Sequence, residues 1–269
     1  ISFAKAITLT GNVAMSSGSG AGDITYSSTI DGGKTLTLTA GTGDINFDNK
    51  VGNSTELGKI TINSAGTIDT DNTFQAAGID WTATTKVQVD ALITSSKAVK
   101  MTAADIDLNA GITTTAGGTD GLVDLNAGAT GLDLKASQAI TTAAAANSGT
   151  VSGAVDIDSS GNVSINGNIV TTGADSNHAS NAASTAGNVN IDTTGSATIT
   201  VTGDITSTGG AATGSGNDGG VAGNVVLNSN DTDITLAGTS ISAVGGASSN
   251  GTAGAGGNVT FSDEVVLST

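Results

Sequence analysis

The stretch from residue 187 to residue 210, GNVNIDTTGSATITVTGDITSTGG, decides how this chain folds. In it Val189 and Ile191 alternate with polar residues, and so do Ile199, Val201, Gly203 and Ile205. A period of two sends successive side chains to opposite faces of an extended strand, so these runs read as strands with one apolar face. The first run recurs. Gly153, Gly187, Gly223 and Gly257 open GAVDI, GNVNI, GNVVL and GNVTF, at intervals of 34, 36 and 34 residues, and Gly121 opens GLVDL one unit earlier.

The second run recurs along the whole chain as two alternating apolar residues, a small residue and a further apolar one. Val163, Ile165, Gly167 and Ile169 follow this frame, as do Ile106, Leu108, Ala110 and Ile112, and Ile24, Tyr26, Ser28 and Ile30. The copy at Ile68, Asn72 and Phe74 carries Thr70 at one inward position, and the copies at Leu132 and Ile234 need a slipped residue after the small position. The copies begin at residues 24, 45, 68, 87, 106, 132, 163, 199 and 234, at intervals of 19 to 23 residues early and 26 to 36 late. Constant strands with one growing connection are the mark of a solenoid, which accepts insertions at one corner of its coil.

One coil cannot stand alone. It buries about five inward side chains at roughly 1.5–3 kcal/mol each, against about 1–2 kcal/mol for ordering each of some twenty residues. Stacking completes the core and pairs the backbone. The fold expected is therefore all-β: a right-handed parallel β-helix of about nine to ten coils, forming a single unit over residues 1–269. Short coils fill 1–120, and coils with long Gly/Ala/Ser/Asn-rich loops fill 121–269. The small residues at Ser28, Asn49, Asn72, Ala91, Ala110, Gly167, Gly203 and Gly238 should mark a corner, where glycine tolerates unusual backbone angles. Both ends of the sequence lie in strand frame, which points to further coils or to identical subunits beyond them.

Composition narrows function. The chain has 40 Gly, no Pro, no Cys and no Arg, and a net charge of −16. All eight Lys lie at or before Lys135, with ten acids after it. Nucleic acid and anionic membranes are poor partners for such a surface, because phosphate neutralisation needs Lys and Arg. No apolar run reaches the roughly 20 residues of a membrane helix, and no signal peptide is visible at the first residue. His178, the only histidine, reads as a solvated loop residue without a positioned partner. Trp81 and Tyr26 fall at inward, core positions.

Successive coils place Asp80, Lys100, Asp124 and Asp156 at one outward position of the first strand, where neighbours stand about 5 Å apart. Asp124 and Asp156 are the candidate metal contacts, for calcium, which favours several oxygen ligands; solvated surface acids are the plainer reading. Asp107 and Asp133 form a similar pair. A row of outward threonines, Thr94, Thr113 and Thr141, continues through Val170 to Thr206. The late loops, from about Gly173 to Ala186, Gly209 to Ala222 and Gly245 to Gly256, suit flexible decoration or lateral packing against a neighbour.

Repeats such as residues 187–210 resemble those of filamentous-haemagglutinin-like exoproteins exported by two-partner secretion, and those of autotransporter passengers. The resemblance lies in pattern and composition along nearly the whole chain. It implies a β-helical shaft displayed outside a Gram-negative-type cell, although the family's secretion domain is not recognisable here. The function expected is an extracellular structural and adhesive segment at the cell surface, without catalysis and with no cofactor beyond the calcium considered above. Its partners would be neighbouring coils or identical subunits, and surface glycans or proteins. One rival is a subunit that joins end to end into a filament or surface layer. A more distant one is a β-helical polysaccharide-cleaving enzyme, whose usual arginine base this chain lacks.

Overall fold

A computed structural model describes residues 1–145, 149–177, 182–214 and 216–268. The chain is a parallel β-helix. Every strand-to-strand pairing is parallel, and the described residues contain no α-helix, only a single 3-10 turn at Gly118–Gly121. Each coil runs through three faces in a fixed order. Face A includes Val13–Ser16, Leu36–Thr39, Val155–Ser159, Val189–Thr193 and Val225–Asn228; face B includes Ile24–Tyr26, Ile45–Phe47, Lys86–Val89, Val163–Ile165 and Ile199–Val201. Faces A and B form one 19-stranded sheet, because Val99–Leu108 and Val123–Leu134 each run through the corner between them. Face C holds a seven-stranded sheet that begins at Phe74–Ala76, preceded by a two-stranded one; Val51 bridges the two through Ile30 and Phe74.

The inward positions of each strand supply the core. Ile24, Ile45, Ile68, Val87, Ile106, Val163, Ile199 and Ile234 form one buried column of face B. Like stacks on like. Phe3, Tyr26 and Phe47 lie nearly parallel at 5.0 and 5.3 Å between ring centroids. Phe74 meets Phe47 and Trp81 edge-on at 5.2 and 5.1 Å, a favoured aromatic geometry. Tyr26 and Trp81 are core residues, as the alternation predicts.

The corners are held by polar side chains. An Asp or Asn oxygen accepts a backbone N–H one coil on: Asp23 from Asp44 and Asp44 from Thr67, Asn168 from Asp204 and Asp204 from Ser240, and Asn188 from Asn224 and Asn224 from Asn258. Inside, each face-C strand from Ile112–Thr114 to Ile205–Thr208 places one buried hydroxyl inward, bonded to a glycine that opens face A. Thr114 donates to the Gly121 carbonyl at 2.6 Å, Thr142 to that of Gly153 and Thr171 to that of Gly187 at 2.7 Å, while Ser207 accepts from the Gly223 N–H at 2.8 Å. Buried polar groups demand such partners.

Those opening glycines stack on one another. A Cβ on Gly187 would lie 2.1 Å from the Gly153 carbonyl oxygen, and one on Gly223 would lie 2.1 Å from that of Gly187. Close approach, not an unusual dihedral angle, selects glycine here. The same holds at the small-residue corner. A Cβ on Gly203 would sit 1.9 Å from the Gly167 oxygen, whereas the slipped copies turn through positive φ, at Ser137 (66°) and Gly238 (63°).

Candidate functional site

The expected outward column is present in register: Asp80 beside Lys100, Lys100 beside Asp124, and Asp124 beside Asp156. The carboxylates of the calcium candidates have partners within the protein. Asp124 takes the Lys100 ammonium and the Asn126 amide, and Asp156 takes the Asn190 amide at 3.1 Å. A cation at Asp124 and Asp156 would compete with these groups. Asp107 is bonded by Lys86, and Asp133 by Lys135 and by Asn166 at 3.0 Å. The threonine row is also in register, running Thr94, Thr113, Thr141, Val170, Thr206. His178 lies outside the described residues.

A different acid group stands closer together. Asp69, on the outward side of face B, and Asp71, just past the same strand, meet Asp90 from the next coil; each offers an oxygen within 4.8 Å of the others. The register explains it. Thr70 pairs with Val89, so the residues that follow each of them, Asp71 and Asp90, leave the sheet side by side. Asp90 is bound by the Gln88 amide at 2.8 Å and the Asn109 amide at 2.6 Å. One oxygen of Asp69 is shielded from solvent and has no hydrogen-bond partner. Burial, followed by the charges of Asp71 and Asp90, pushes the Asp69 carboxyl above its ordinary value. Several carboxylate oxygens converging in this way match the needs of a hard divalent cation, which would remove the repulsion and satisfy the stranded oxygen. The sequence signal was a D-x-D pair at 69 and 71 answered by Asp90 one coil later.

A second acid group lies on face A. Burial and the charges of Asp156, Asp192 and Asp124 raise the Asp158 carboxyl, and Asn228 and Asn190 donate amide bonds to Asp192. Near the C-to-A corner, a groove of about 340 Å³ has Ile79, Val99 and Leu122 in its floor. Ion pairs ring it: Lys59 with Asp80 at 2.8 Å, Lys97 with Asp120 at 3.3 Å, and Lys100 with Asp124. These pairs are largely exposed and contribute little stability, about 0–1 kcal/mol each.

The fold and its surface together define a β-solenoid whose outer faces carry short, mutually bonded polar side chains between acid clusters. No family model, curated protein or solved structure matches the chain.

Proposed function

We propose that this chain is a structural shaft segment of a bacterial surface protein, exposed outside the cell and without catalytic activity. The observation that carries this reading is the run of parallel ladders through successive coils on all three faces, which gives a stiff rod rather than a site. Its acidity, its lack of Cys and its resemblance to exported β-helical repeats support display at the surface. Ten rungs on face A at about 4.8 Å correspond to a rod about 45–50 Å long.

Antibodies raised against the purified chain test the location. Labelling of intact cells of the source organism is the expected result, and labelling only after permeabilisation would contradict it. The same preparation should release no unsaturated sugar ends from pectin- or alginate-like polymers, with or without calcium.

A further inference from the structure

Over their described residues, the late loops pack on one another. Each leaves face C, turns back, and re-enters at the opening glycine of face A. The outgoing arms pair from coil to coil, Ser176 N–H to the Ala211 carbonyl and Ala212 N–H to that of Ala247, both at 2.8 Å. The returning arms do likewise, Ala186 N–H to the Val221 carbonyl at 2.9 Å and Ala222 N–H to that of Ala255 at 3.0 Å.

Between the two arms runs a staircase of backbone bonds. The Ser184 N–H donates to the Ala174 carbonyl, Gly210 to Ser184, Gly220 to Gly210, Gly246 to Gly220 and Gly254 to Gly246, at 2.8 to 2.9 Å. Ser184, Gly210, Gly220 and Gly246 thus use both their N–H and their carbonyl in it. The glycine steps leave no room for a side chain. A Cβ on Gly210 would lie 2.1 Å from the Ala174 oxygen, on Gly220 1.9 Å from that of Ser184, and on Gly246 1.8 Å from that of Gly210. The residues buried in this lobe are Gly, Ala, Ser and Asn217, and its alanines Ala183, Ala186, Ala212 and Ala222 stand apart from the main apolar cluster.

We propose that this lobe is a strap, a conformational device in which a staircase of backbone bonds, capped by side-chain bonds from Asp175, Asp218 and Ser248, locks the C-to-A corner of the last coils and makes it open as a unit separate from the apolar core. Hydrophobic burial does not hold the lobe: its buried described residues are small or polar, and its large apolar side chain, Val221, is 42 % exposed. Its order rests on arms close enough to bond, and that closeness requires glycine. One added Cβ in the staircase should therefore release the strap while the faces stay paired.

Amide hydrogen exchange on the full chain tests this, with Gly220→Ala against Gly20→Ala, a control at which a Cβ would meet nothing within 4 Å. In the wild type, the amides of Gly210, Gly220 and Gly246 should be protected alongside those of Ile199–Val201. In Gly220→Ala, exchange across the lobe should quicken on the order of 100-fold while the face strands keep their protection; Gly20→Ala should leave both unchanged. Lobe amides that exchange in the wild type at the rate of an open chain would overturn the strap, whether or not Gly220→Ala folds. So would a folded Gly220→Ala with an unaltered lobe.

Discussion

Asp69 shows how a single residue is set by its place in a stack. Its column on face B runs Asn46, Asp69, Gln88, Asp107, so amides flank it on the coils below and above. Burial and the neighbouring carboxylates raise its pKa in the folded chain. The folded state therefore holds the Asp69 proton more tightly than the unfolded state does, and stability falls as pH rises from the ordinary carboxylate value, about 3.9, through the raised one. At pH 7 the charged form is a liability. Asp69→Asn, which keeps the shape and removes the charge, should raise Tm at pH 7. That advantage should fade as pH falls toward the unfolded value. Millimolar calcium should reverse the order by stabilising the wild type alone, if the Asp69, Asp71 and Asp90 group holds a cation. Thermal melts of the two proteins, with calcium and with chelator, read all three effects; equal Tm values throughout would dismiss both the strain and the ion.

At the scale of the element, the coil is fixed by what touches at its corners. The glycine that opens each late face-A strand lies on its counterpart one coil away, and at Gly153, Gly187 and Gly223 a buried Thr or Ser of face C is bonded to it. Gly187→Ala would press a Cβ to 2.1 Å from the Gly153 oxygen and disturb the carbonyl that Thr171 and Ser207 bind. A loss of about 2–4 kcal/mol is expected, within the range for overpacking and disrupted buried hydrogen bonds. Urea unfolding would show it as a lower midpoint; an unchanged midpoint would mean that the corner gives way easily.

Much of this was legible in the alternation. Period two and a constant frame set the register residue by residue, so that Asp80, Lys100, Asp124 and Asp156 fell into one column as expected. What the pattern hides is contact made by backbone. The staircase leaves no mark but its glycines, and a Gly-rich loop that packs on itself reads like one that does not. The acid triad escaped for a related reason: Asp71 and Asp90 stand just past their strands, at a corner where alternation no longer assigns a face. The hydroxyls at Thr114, Thr142, Thr171 and Ser207 lie one step beyond the visible threonine row and face in.

Over the whole molecule, stability comes from repetition. Apolar columns, stacked aromatics in the early coils, Asp and Asn caps at the corners and the late strap all act between neighbouring coils, so length adds stability in proportion. All of these contacts presuppose a rod. Small-angle X-ray scattering of the monodisperse chain tests that most directly. It should give a modestly elongated particle whose maximum dimension exceeds that of a sphere of the same mass and matches a rod of about 45–50 Å at ten rungs of about 4.8 Å each. Scattering of a sphere of the same mass, or of an expanded coil, would contradict it.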